Sequence, residues 1–550
     1  MLHAMRRLFA VTVALLDGTS PRLVAQDDKI LRVFVFAGQS NMVGADSRAA
    51  DIARFPPFAG LDRPQPGVRF SYCLGREEKR RSDGWEQLQP VDGMVGPELS
   101  FAREVTAHIE APVAIIKIAA GGTHLFGDWN PDEPSGFELY PLALGHVRKA
   151  LAELDRQRIR HRLEGFVWHQ GENDMFEAKG KANYATNLAR FIECWRRDLK
   201  APELRFFVGE LCTGTVWGMD NRDNMHAIEL AQRAVADADP LVDYVPTSHV
   251  GVEIGADAGL HYHYGTLGQL EHGASHARSY LRSIGKEPKQ VRPLGRWPYA
   301  AGSAIKLFVF AGHRNLEGER AFVQDLGKLR RSDLGKDHAG IAFRYRLGGG
   351  YRVADDWEPL GPAGSHDTFG PELSFAKRLA GKTRDNIAVV KFTHPGSQIV
   401  DWTPAGSSAP TRNLYPDFVA FVRAAMQDLT ARGHQVELAC VCYHLGENDL
   451  CFGPYRKEAA ARLSAIVAQS RVDLGAPGLH WFVSQQRPPE GEGLDRLDVS
   501  GDLVKLAAAD GRLHHVRAFE LPGQDQKLVL TTAGIVALGE LLADRWLAAK

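Results

Sequence analysis

Short, nearly unbroken apolar runs alternate with amphipathic stretches along this chain. In the first half the apolar runs are Leu31–Ala37, Val113–Ala119, Glu164–His169 and Leu204–Gly209. Between and after them, apolar residues recur every three or four positions over Pro97–Ile109, Glu138–Leu154, Lys181–Leu199, Asp223–Ala236 and Gly268–Ile284. A continuous apolar run suits a strand buried on both faces, and the longer period suits a helix laid on a sheet. The alternation predicts a parallel sheet covered by helices on both sides, the α/β class. Pro97, in "GPELSF", falls at a first helical position, where its missing N–H costs nothing. Ligands of such sheets gather beyond the carboxyl ends of the strands. The distinctive motifs lie there: "GQSN" after the first strand, "GGT" after the second and "QGEND" after the third.

The pattern occurs twice. "FVFAGQSNMVG" at 34–44 returns as "FVFAGHRNLEG" at 308–318, and "GPELSFA" stands at both 96–102 and 370–376. "VAIIKIAAGGT" (113–123) answers "IAVVKFTHPGS" (387–397), "WHQGENDM" (168–175) answers "YHLGENDL" (443–450), and "APELRFFV" (201–208) answers "APGLHWFV" (476–483). Order and spacing are both kept, so the chain is a tandem duplication. Its 550 residues suit two domains. The expected division is a leader over 1–26, a first domain over 27–284, a Pro- and Gly-rich linker over 285–304, and a second domain over 305–550.

Composition narrows the classes. Hydrophobic residues make up 44%, charged residues 24%, and the net charge is −1. This is an ordinary soluble balance, with no overall field to attract nucleic acid or an anionic membrane. No run approaches the ~18 apolar residues of an integral span. The start resembles a secretory signal peptide: basic Arg6 and Arg7, an apolar run Leu8–Leu16, then small Ala25, although Leu23 departs from the usual cleavage pattern. A secreted or periplasmic location is expected. The six cysteines stand at unrelated places in the two halves and form no CxxC pair, which argues against a shared disulfide framework and a zinc ribbon.

The chemistry of the first copy centres on Ser40, which follows a strand and a glycine. A serine hydroxyl needs a base before it can attack a carbonyl. Gly38 permits a tight turn, Gly121 and Gly122 offer backbone N–H groups at a second strand end, and Gln170 offers a side-chain donor at a third. The base is sought in "DAGLHYHYGTLGQLEHG" (257–273), which holds His261 and His263. The HxH pair has no further metal ligand at recognisable spacing, so an imidazole base is the better reading than a metal.

The set GQSNM, GGT, HQGEND and a late histidine resembles the sialate O-acetylesterase-like family of SGNH hydrolases, which shares its signature with carbohydrate esterase family six. The resemblance covers nearly all of the first copy. It implies a flavodoxin-like three-layer α/β/α sandwich and removal of O-acetyl groups from sugars through an acyl-serine, with no cofactor and no metal. It implies Ser40 as nucleophile, His263 rather than His261 as base, and an oxyanion hole from Gly122, Gln170 and the N–H of Ser40. The family often places an Asp three residues before the histidine, and here Leu260 occupies that position. The resemblance then offers Glu172 as the orienting acid, with Asp257 behind it. The partner it implies is an acetylated carbohydrate. A lipid or aryl esterase on the same fold and a non-catalytic carbohydrate-binding scaffold are the alternatives.

In the second copy Arg314 replaces Ser40, Leu445 replaces Gln170 and Val529 replaces His263. Three chemical roles are absent together, so this copy reads as catalytically inactive. Glu172 is kept there as Glu447, which weakens its claim to a chemical role.

Overall fold

The computed structural model describes residues 30–77, 80–211, 215–216, 219–252, 262–288, 292–409, 412–445, 447–487, 499–525 and 528–550. The leader, Asp257 and His261 lie outside the described residues.

Each half folds around its own mostly parallel sheet with helices on both faces, a tandem of flavodoxin-like α/β/α sandwiches. In the first half the strand order is Val242–Val245, Arg205–Gly209, His161–His169, Leu31–Gly38, Val113–Ala119, Gln65–Leu74, all parallel. The second half repeats it as Leu513–Arg517, His480–Gln485, Gln435–His444, Ala304–Gly312, Asn386–Thr393, His338–Leu347. A register shift interrupts the central strand at Val33/Phe34 and again at Leu307/Phe308. The Gln65–Leu74 strand escapes the apolar-run criterion because, near the sheet edge, its half-buried residues mix polar with apolar.

Side chains of the central strand alternate between two cores. Val33, Val35 and Ala37 pack with helices Leu139–Arg156 and Ala178–Asp198, while Phe34 and Phe36 pack with Glu98–His108 and Gly265–Ser283. Phe34 meets Phe101 edge-on at 4.9 Å, and Phe308 meets Phe375 the same way at 5.2 Å. A fully buried Phe contributes roughly 2–3 kcal/mol through removal from water. The duplicated phenylalanines are therefore core chemistry.

The two halves are in contact. Phe322 of the second joins a core cluster of the first, and Tyr351 stacks on His249 at 3.6 Å. Arg222, buried at the start of helix Arg222–Ala238, bonds Tyr455 at 2.8 Å and also reaches Asp401 and Gln398. Among the described residues no helix is long and apolar enough to cross a membrane. The five described cysteines are buried and form no disulfide with one another.

Candidate active site

The central strand runs between neighbours that leave the sheet in opposite directions, which opens a crevice at its carboxyl end. Gly38 ends that strand at φ +154°, and a Cβ on it would lie 2.1 Å from the His169 carbonyl oxygen. Only glycine lets the chain turn here, and Ser40 then opens a one-turn helix, Ser40–Val43. The turn is held from below. Lys117 donates to the Val43 carbonyl at 3.2 Å and pairs with Glu98 at 2.7 Å, both side chains buried. Lys391 does the same in the second half, toward the Glu317 carbonyl and Glu372, each at 3.0 Å. The repeated "GPELSF" is thus a support for the turn. Burial pushes the Lys117 pKa down despite the adjacent Glu98 carboxylate.

His263 comes to this turn through Asn41. The Asn41 amide donates to the Tyr262 carbonyl at 3.3 Å and accepts from the Tyr264 N–H at 3.2 Å, so the residue after Ser40 brackets His263 by its backbone. The second half keeps this bracket without the histidine. Asn315 donates to Leu528 and accepts from the N–H of Leu530, both at 2.8 Å, with Val529 between them.

The carboxylate that meets His263 is Asp46. Its Oδ2 lies 2.6 Å from the His263 Nδ1. A carboxylate only accepts, so Nδ1 carries the proton and the neutral ring keeps its lone pair on Nε2. Asp46 sits at φ +58° just beyond the Ser40 turn, half-exposed, while the imidazole is nearly buried. The sequence expectation places an acid near the histidine, at Asp257, or in the "QGEND" block, at Glu172, and Asp46 belongs to neither stretch. The signal was present in the duplication: "GAD" at 44–46 faces "GER" at 318–320, so Asp46 is replaced by Arg320 in the half that also lacks the serine and the histidine.

Glu172 has other partners. It accepts from the Asn41 amide at 2.7 Å and lies 3.7 Å from His169, and among the described residues it makes no contact with His263. Burial raises its pKa, but the His169 and Asn41 side chains outweigh burial and hold it below the usual glutamate value. Gln170 is fully buried, and its amide donates to the Thr123 carbonyl at 2.9 Å and to Asp174 at 2.6 Å. Both amide hydrogens are used within the fold. Asp174, which also accepts two backbone N–H groups, is raised to about 6 by burial.

Gly122, at φ +68°, belongs to a loop whose carbonyls are drawn to Arg76: Nε bonds Gly121 at 2.7 Å and Nη2 bonds Gly122 at 3.3 Å. Among the described residues the N–H groups of Ser40, Gly121 and Gly122 have no hydrogen-bond partner. Asn173 accepts from Gln39 at 3.2 Å, and its own amide hydrogens likewise have no partner among the described residues. Trp129 and Trp402 are buried and donate to Thr123 and Ser397, so they are structural tryptophans. No group of three or more His, Cys, Asp or Glu among the described residues is arranged to hold a metal ion.

The family model "Carbohydrate esterase, sialic acid-specific acetylesterase" matches residues 30–282 and 304–548. No curated protein matches the chain. Among solved structures, a protein from Arabidopsis thaliana is 22% identical over 46% of this chain and 98% of its own, at a TM-score of 0.35. NanS is 16% identical over 47% of this chain and 98% of its own, at 0.37. A carbohydrate acetylesterase from Xanthomonas citri is 18% identical over 47% of this chain and 58% of its own, at 0.33.

Proposed function

Since the chain belongs to the sialic acid-specific acetylesterase family of carbohydrate esterases, we propose that its first half (27–284) is a serine hydrolase that removes O-acetyl groups from a sugar. The single observation that carries this reading is the Asp46–His263 pair, held beside Ser40 by Asn41. Ser40 is the nucleophile, His263 the base and Asp46 the carboxylate that orients it. Glu172 anchors Asn41 instead.

The reaction follows from these roles. His263 Nε2 takes the Ser40 proton as Oγ attacks the acetyl carbonyl, and the N–H groups of Ser40 and Gly122, with the Asn173 amide, hold the oxyanion. His263 then protonates the departing sugar oxygen. Water, deprotonated by the same imidazole, attacks the acyl-serine and releases acetate and the free hydroxyl. Asp46 keeps the ring in the required tautomer and stabilises the imidazolium. No step needs a cofactor. The second half (305–550), beyond the 285–304 linker, has no hydrolytic role, because Arg314, Arg320 and Val529 stand where the chemistry would be. The basic and apolar leader supports a secreted or periplasmic location for the enzyme.

Acetate release from acetylated xylan and from O-acetylated sialic acid, with Ser40→Ala as control, tests the reading. Release from one substrate that the substitution abolishes establishes the esterase and its sugar class. Wild type equal to the variant on both rejects it.

A further inference from the structure

The cleft of the second half is occupied by the first half. Arg314, at the nucleophile position, is 1% exposed and forms a two-point ion pair with Glu319 at 2.7 and 2.8 Å. Its remaining nitrogen, Nη1, donates to the backbone carbonyl of Val252 in the first half at 2.9 Å. Gly251 fits against the same pair: a Cβ on it would lie 2.3 Å from a Glu319 oxygen and 2.7 Å from an Arg314 nitrogen. Gly396, the counterpart of Gly122, is covered as well, since a Cβ there would lie 2.0 Å from the Ser248 carbonyl oxygen. The serine position and the oxyanion-glycine position of the second half therefore both hold residues 248–252.

Those residues also pack against the residue that follows the candidate base. Val250 and Val252 pack on Tyr264, and a Cβ on Gly268 would lie 2.8 Å from both the Gly251 carbonyl oxygen and the Tyr264 Cβ. Tyr264 adjoins His263, gives its N–H to Asn41, and meets Thr247 at 3.4 Å and His169 at 3.2 Å through its hydroxyl. Arg314 is thus linked to the His263 backbone by one hydrogen bond and one layer of packed side chains.

We propose that Arg314 is a positioning residue for the first active site, and that the former catalytic cleft of the second half has become the socket that fixes the His263 segment. This rests on the esterase reading above. It accounts for a second copy that lost its serine, acid and histidine together while keeping the Asn315 bracket and the turn beneath it. A planar, permanently charged guanidinium can satisfy a carboxylate and a carbonyl at once. A lysine at that place would satisfy them less completely, and a serine would reach neither.

The test uses the full chain with Arg314→Gln and Arg314→Lys. Amide exchange is read at Val250 and Tyr264, whose N–H groups bond Thr247 and Asn41, with strand Leu31–Gly38 as internal control. Acetate release and acyl-serine trapping at Ser40 are measured alongside. The expected result for Arg314→Gln is at least ~10-fold faster exchange at both amides, an unchanged control strand, and a ~10-fold or larger fall in kcat with KM little altered. Arg314→Lys should recover part of each, and it carries the same readings if the Gln variant does not fold. Unchanged exchange at Val250 and Tyr264, or a rise shared equally by the control strand, overturns the proposal. If wild type releases no acetate yet both amides respond, the socket stands and the esterase reading falls.

Discussion

Asp46 and His263 stand 217 positions apart in the chain and 2.6 Å apart in the fold. On the proposed reading the acid comes from the loop beyond the nucleophile, so one short stretch would supply the serine, the asparagine that brackets the histidine and the carboxylate that orients it. Replacing Asp46 with Asn should lower kcat about 100-fold with little change in KM, because an amide permits the wrong imidazole tautomer. Glu172→Gln should cost less, since Asn41 keeps an acceptor. Steady-state kinetics of the two variants decides between the acids, and a larger loss in Glu172→Gln would return the role to Glu172.

Asn41 and Asn315 make the same bracket, one around a histidine and one around a valine. Asn41→Ala and Asn315→Ala should each lower stability by about 2–3 kcal/mol, since each leaves buried polar groups unpaired. Only Asn41→Ala should also lower kcat by more than about 10-fold. Urea unfolding and turnover of both variants check the pair.

His146 gives the fold an acid sensitivity away from the site. Burial, with Arg81 and Lys149 nearby, lowers its pKa from 6.5 to about 4. The unfolded chain binds the proton more readily across that window, so the contribution is fully present above about pH 6.5 and is lost as pH falls toward 4. Between pH 7 and pH 5 the loss is at most about 2 kcal/mol. His146→Gln should unfold with a smaller difference between urea midpoints at the two pH values. Equal differences would contradict the assignment.

Arg222 joins the halves through Asp401, Gln398 and Tyr455, with both Arg222 and Asp401 buried. Removing the cation leaves a buried carboxylate without its partner, which costs about 3–5 kcal/mol. Arg222→Ala should therefore lower the Tm by several degrees and broaden or split the calorimetric transition as the halves unfold separately. A single transition at the wild-type temperature would show that the contact adds nothing.

Apolar periodicity and the duplication determined most of the architecture. Strands buried on both faces have no polar alternative, so Leu31–Ala37 and Val113–Ala119 were legible as strands, and the GQSN, GGT and QGEND turns at their ends marked the crevice. Sequence also pointed to Ser40 and favoured His263 as candidates, because a turn after a strand and a histidine just before a helix are local features. It could not find Asp46 by proximity, since a hydrogen bond records nothing of the 217 positions that separate its partners. Nor could it show that the Gln170 amide is used within the fold, or that Glu172 serves Asn41, because hydrogen-bond partners are chosen by packing. The fate of the second cleft was equally hidden. Arg314 reads in sequence as a lost nucleophile, and it takes the docked halves to bring it to the Val252 carbonyl, where a buried guanidinium must find acceptors and the first domain supplies one.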